Sequence, residues 1–183
     1  MRIKQLGHPI LRTESVAVPV EKITSDDVQL TLQFMKDTLN GIKAISDENG
    51  NALSAPQVGH AIRAIMLRID GVFTPMINPT FTRMSDEMFE FEEECFSLYN
   101  VRAKVLRYQE VDVHYYDDKG LEFTKTLTGE FAGLVQHEVD HLNGVFFLDR
   151  VDDKESLTTV DYILNDNPER LKTVKQMMAY MAG

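Results

Sequence analysis

Cysteine is almost missing from this sequence of 183 residues, which contains one, Cys95. An intramolecular disulfide is therefore excluded, and the thiol is a buried small hydrophobe, a nucleophile or a metal ligand. Positive charge is also scarce. With 19 Lys and Arg against 29 Asp and Glu, the formal net charge is -10, which repels polyphosphate and argues against direct nucleic-acid binding. Long apolar runs are lacking too. The stretch Met1 to Pro9 has no continuous apolar core of the signal-peptide kind, and no later stretch is long enough to span a bilayer. Together these absences point to a soluble cytoplasmic enzyme without membrane partners. Repeats, low-complexity tracts and long linkers are absent as well. At this length, with 43% hydrophobic residues, the expectation is a single domain over residues 1–183.

Periodicity gives the elements. Ser25, followed by Asp26 and Asp27, reads as a helix start, and Val28, Leu32, Met35, Leu39 and Ile42 recur at helical spacing. The short apolar run Ala61 to Leu67 suits a buried strand. Val101 to Tyr108, Val111 to Tyr116 and Leu121 to Leu127 are rich in strand formers, and Asp117 to Gly120 supplies hairpin turn chemistry. This middle region reads as one antiparallel sheet. Thr128 can cap a second helix, with Asn143-Gly144 as its left-handed exit, and Asn167-Pro168 announces a third carrying Leu171, Val174, Met178 and Met181 on one stripe. The expected fold is α+β: a mostly antiparallel sheet packed around a central HExxH helix, with N-terminal and C-terminal helices.

The chemistry centres on Gln136-His137-Glu138-Val139-Asp140-His141. Histidines four apart stack on one helical face, close enough to share a divalent ion that activates water for hydrolysis, with Glu138 as the proton carrier. An open catalytic site usually has three protein ligands, so one is still needed, and a thiolate with two imidazoles suits iron, zinc, nickel or cobalt. On its neighbours alone, Cys95 remains either that ligand or an inert buried thiol. Gly133 and Leu134 precede His137 on its helical face and are expected to line the approach to the metal, with helix packing through the small Gly133 as the alternative. The small residues of Gly50 to Gly59 would let a substrate or another backbone come close. His8, His60 and His114 read as non-ligands, and Asp140 as a helix-stabilising or supporting residue.

Taken together, Gly50 to Gln57, Glu93 to Ser97 and Gln136 to His141 resemble the peptide deformylase family, whose patterns are GxGxAAxQ, EGCLS and QHExDH. The third matches in full. Leu6 to Arg12 and Asn143 to Arg150 are similar to the family's flanking segments, so the resemblance covers nearly the whole chain. It implies Cys95, His137 and His141 as metal ligands, Glu138 as general acid and base, and Gln57 as a donor to the developing oxyanion. The Phe96 N–H is a second donor, and Gly50, Phe96 and Leu134 are expected to border the substrate. The implied metal is Fe2+, replaceable by Zn2+, Ni2+ or Co2+. The implied partners are N-formylmethionyl peptides, with transient ribosome association as a further family-level expectation.

The sequence departs from those patterns at Ala52, Ser54, Phe96 and, most seriously, Glu94, which replaces a glycine beside the metal ligand. Two other readings follow. One is an HExxH peptidase that takes a downstream acid, Asp149 or Asp152, as third ligand. The other is a deformylase-like protein with altered substrate, or a metal-bound module without catalysis because Glu94 obstructs the cleft.

Overall fold

The computed structural model of the protein describes residues 3–182. Met1, Arg2 and Gly183, which belong to the expected N-terminal segment and domain, lie outside the described residues. The strands are β1 (Ala52–Ser54), β2 (Ala64–Ile69), β3 (Val72–Met84), β4 (Met88–Glu94), β5 (Val101–Tyr108), β6 (Glu110–Tyr116), β7 (Glu122–Thr128) and β8 (Thr158–Thr159). The helices are α1 (Asp26–Lys43), α2 (Gly129–Leu142), the short α3 (Val160–Ile163) and α4 (Pro168–Ala182).

These strands form two antiparallel sheets, a five-stranded one in the order β1-β2-β3-β6-β7 and a three-stranded one in the order β4-β5-β8. The expected middle sheet is thus divided, because β5 pairs with β4 whereas β6 pairs with β3 and β7. The divide falls at Gln109. Its N–H donates to the Glu87 carbonyl, and its own carbonyl accepts from Gly129 at the start of α2. β3 and β4 were not expected. Pro75 and Pro79 interrupt the first, whose register shifts beyond Ile77, and glutamates dominate the second.

α2 lies between the two sheets. Ala132, Val135, Val139 and Leu142 join Ile65, Leu67, Met76, Val111 and Val113 in one core, whereas the face carrying His137 and His141 turns toward Cys95, Phe146 and Phe147. On the other side of the five-stranded sheet, all five residues expected on the apolar stripe of α1 are buried with Leu53, Ala64, Met66 and Ile77. β2 is consequently covered on both faces, which is why Ala64 to Leu67 is an apolar run rather than an alternation, broken only by Arg68 toward its end. α4 follows the expected cap and proline start, with the Arg170 N–H donating to Asn167 Oδ1 at 3.1 Å. Its buried stripe runs through Val174, Met177 and Met181.

Gly50 sits where the chain arrives from α1 to begin β1. Its φ is +82°, and a Cβ there would lie 2.7 Å from the Leu39 carbonyl oxygen. The close approach expected of this segment is therefore made by the backbone of α1. Gly50→Ala is expected to lower stability by about 1–3 kcal/mol through left-handed strain and this clash. Urea denaturation checks it, and an unchanged midpoint would show that the loop absorbs the methyl group.

Candidate metal centre

The first motif folds as strand β1 followed by a tight turn over Ala55–Val58, with Pro56 at its start and Gly59 closing it in a left-handed conformation. The turn buries Gln57 and fixes its amide. The Ser54 N–H and hydroxyl donate to Gln57 Oε1 at 2.9 and 3.0 Å, so Nε2 is directed at Ser97 Oγ, 3.3 Å away, and at Cys95 Sγ, 3.7 Å away. Cys95 itself follows the end of β4 and precedes a second turn, Phe96–Leu98. The first N–H groups of such a turn have no partner within it, which leaves the Phe96 donor at the cavity edge.

α2 presents the two histidines one turn apart, with their ring centroids 4.8 Å apart. Cys95 Sγ lies 3.2 Å from His141 Nε2. One ligand atom from each of Cys95, His137 and His141 falls within 4.8 Å of the others, and all three residues are buried. The three residues named by the resemblance are thus brought together. His137 Nδ1 is held by Glu93 Oε2 at 2.6 Å, which leaves Nε2 as the free ring nitrogen. Burial works against a charge on His137, but its hydrogen bonds to Cys95 and Glu93 outweigh burial and hold it well above its ordinary value. Burial, with the positive charge of His137 beside it, keeps His141 well below its own. Thiol and carboxylate thus call for positive charge between the two imidazoles, a role that a divalent cation fills with both rings neutral.

Glu138 is buried, and its Oε2 has no hydrogen-bond partner among the described residues. Burial pushes its carboxyl up to about 7. It opens on a cavity of about 180 Å³ shared with Gln57, Cys95, Phe96, Leu134 and Gly50. Gly133 does not belong to this wall. A Cβ on Gly133 would meet the Phe91 ring at 2.8 Å, so the expectation that it lines the approach is corrected to helix packing, and Phe91 lines the cavity instead. Glu94 does not close the cavity. Its carboxylate turns along the wall to an ion pair with Arg102, its cross-strand neighbour on β5.

Of the residues that hold the histidines in place, sequence reasoning gave a supporting role to Asp140 and none to Glu93, Arg107 or Arg150. Glu93 accepts from Arg107 Nε at 2.5 Å, Arg107 Nη1 donates to Asp140 Oδ2 at 2.7 Å, and Arg150 Nε donates to the same oxygen at 2.5 Å. Strand alternation could have found Glu93, since it shares a parity with Cys95, and its pairing with Arg107 needs the β4–β5 hairpin. The remaining histidines have partners elsewhere: His8 with the Ile10 N–H, His60 with Thr31 and His114 with Glu122. Asp149 is tied to Arg12 and to the Phe146 N–H, away from a ligand position. Arg107 is 3% exposed between two carboxylates. Arg107→Ala is therefore expected to cost about 3–5 kcal/mol by leaving buried charge uncompensated. Truncating the half-exposed Arg83, paired with Asp112, should cost far less, because solvent screens the pair. Parallel urea titrations of the two variants compare them directly, and equal losses would mean that the buried network has no special weight.

Residues 1–157 match the family model for polypeptide deformylase. The peptide deformylase of Treponema pallidum (strain Nichols) is 36% identical over 154 residues, covering 84% of this chain and 90% of its own length. That of Carboxydothermus hydrogenoformans is 33% identical over 151 residues, covering 82% and 93%. Among solved structures, the Thermotoga maritima peptide deformylase is 30% identical with a TM-score of 0.73, covering 83% of this chain and 97% of that one. The Synechococcus elongatus enzyme, in complex with actinonin, is 28% identical with a TM-score of 0.75, covering 93% and 87%. Sequence and architecture agree over more than four-fifths of the chain, and this chain belongs to the peptide deformylase family, whose members are metal-dependent hydrolases.

Proposed function

We propose that residues 1–183 act as one catalytic domain that removes the N-formyl group from the N-terminal methionine of nascent polypeptides, releasing formate. The observation that carries this reading is a buried Cys95, His137 and His141 cluster beside an unpartnered Glu138 oxygen, at the end of a small cavity. Cys95, His137 and His141 would hold the metal, and Glu93 would orient His137. A thiolate with two imidazoles accepts several first-row ions; Fe2+ is our assignment, with Zn2+, Ni2+ or Co2+ as substitutes. When bound, such an ion supplies Lewis acidity for activating water and polarising the formyl carbonyl.

The chain's own residues supply the rest. Glu138, with a carboxyl titrating near neutrality, takes a proton from the attacking water and returns it to the amide nitrogen as the C–N bond breaks. The products are formate and a free amine. Charge developing on the carbonyl oxygen meets the Gln57 amide, pre-aimed by Ser54, and the Phe96 N–H. At about 180 Å³ the cavity suits a formyl group and one side chain rather than a whole peptide. Leu134, Phe91 and Phe96 give it apolar walls suited to an unbranched methionine, and Gly50 lies at its rim. The terminal strands β1 and β4 of the two sheets both border it, so an extended peptide can lie along their unpaired edges.

This reading is preferred to the others for two reasons. An HExxH peptidase with a downstream acid as third ligand loses Asp149 to Arg12 and Asp152 to the exposed surface, and a module obstructed by Glu94 loses its obstruction to Arg102. Among the described residues no helix is long and apolar enough to cross a membrane, and cytoplasmic location remains our inference. Arg170, Lys172 and Lys175 form a small basic stripe on α4, but Arg170 and Lys175 are paired with Glu48 and Asp161, so the stripe gives ribosome association no support.

Formate release from a formyl-Met peptide, measured after anaerobic loading with Fe(II), tests the reading. Glu138→Ala should abolish release with metal content retained, and persistent release would remove Glu138 from this role. Cys95→Ser should reduce bound metal in elemental analysis, whereas Glu93→Gln should weaken metal affinity by about 10–100-fold. Undiminished metal binding in Cys95→Ser would exclude the thiol as a ligand.

A further inference from the structure

The opening segment of the chain passes behind both turns that border the metal centre. Lys4, Gln5 and Leu6 follow one another there, and each donates a hydrogen bond to one of those turns. The Lys4 N–H donates to the Gln57 carbonyl at 2.7 Å, Gln5 Nε2 to the Phe96 carbonyl at 3.1 Å, and the Leu6 N–H to the Ser97 carbonyl at 2.8 Å. Lys4 and Leu6, two apart, use their main-chain N–H groups. The intervening Gln5 reaches the turn with its side chain instead.

The segment is itself fixed. Ile3 is buried, and its N–H donates to the Met181 carbonyl in α4 at 3.0 Å. Gln5 Nε2 also donates to the Ile3 carbonyl at 3.2 Å, which restrains the otherwise exposed side chain. On the turn Phe96–Leu98 the Cys95 carbonyl is taken internally by the Leu98 N–H at 2.9 Å. The carbonyls of Cys95, Phe96 and Ser97 are therefore all held. In a helical turn carbonyls and N–H groups face opposite ends, so a grip on the carbonyl end sets the direction of the N–H end, which begins with Phe96 at the cavity. Ser97 links this grip to the other donor, because its Oγ accepts from Gln57 Nε2 at 3.3 Å.

Resting on the deformylase reading, we infer that Gln5 is a positioning residue for that reaction, whose side-chain amide locks the turn Phe96–Leu98 so that the Phe96 N–H and the Gln57 amide converge on one oxygen. Gln5 is absent from the cavity lining and from the Cys95, His137 and His141 cluster. It acts only through the Phe96 carbonyl. Oxyanion donors gain strength as charge develops on the carbonyl oxygen, so their alignment bears on kcat more than on substrate binding.

Gln5→Met keeps the length of the side chain and removes its donor. At this exposed position the variant should fold and bind metal as the parent does. With formyl-Met-Ala-Ser and protein loaded anaerobically with Fe(II), kcat should fall about tenfold while KM stays within about twofold. Outright removal of an oxyanion donor costs on the order of 100–1000-fold, and here a donor is loosened rather than lost. Amide hydrogen exchange gives a readout independent of turnover: the Leu98 N–H, bonded inside the turn, should exchange faster in Gln5→Met. Formate release with an unchanged kcat, a loss carried by KM alone, or a fall in kcat without faster Leu98 exchange would overturn the positioning role and leave the deformylase reading intact. No release from the parent protein, with Leu98 exchange still quickened by Gln5→Met, would overturn the deformylase reading and keep the grip of Gln5 on the turn.

Discussion

The structure depends on keeping ionisable groups charged, or close to charge, in its interior. His137, Glu93 and Asp140 lie below the surface together with Arg107, although desolvation opposes every charge among them. What makes this tolerable is a continuous relay in which each charge meets its opposite: His137 to Glu93, Glu93 to Arg107, Arg107 to Asp140, and Asp140 to the half-exposed Arg150. The relay begins at the His137 imidazole and ends at solvent. It fixes the ring of His137 and ties strand β5 to helix α2, so the ligand geometry and the packing of two elements share one set of bonds.

The second constraint is the position of α2. One face belongs to the apolar core under the five-stranded sheet, and the other supplies the chemistry. A helix held from both sides cannot drift without breaking one of them. Gly133 shows how closely this is fitted, because the Phe91 ring of β4 occupies the space where a side chain would be. The same approach of β4 brings Cys95 within reach of His141 and leaves the edges of β4 and β1 on either side of the cavity. The geometry of the Cys95, His137 and His141 cluster and of the cavity beside it thus follows from how the two sheets close on one helix.

Glu94 illustrates how a substitution that looks disruptive in a motif can be absorbed by its neighbours. Burial pushes its carboxyl up and Arg102 draws it back. That arginine is placed by strand pairing and also lies over the Tyr99 ring, 5.1 Å from its centroid. The side chain therefore becomes part of the cavity wall rather than a plug.

Local signals in the chain determined a good deal without any tertiary help. The helical spacing of His137 and His141, the buried stripe of α1, the bounds of β5 and the proline start of α4 are written at short range, where propensity and periodicity act. The three motif segments identified Cys95 and Gln57 as partners of that helix through resemblance. Only the tertiary structure decided the rest. It split the strands into two sheets at Gln109, exposed Phe91 in place of Gly133, aimed the Gln57 amide through Ser54, and joined Glu93 to Arg107 and Asp140. Each of these depends on pairing or packing between residues distant in sequence, and no local pattern fixes which strand edge, ring or buried charge will meet which.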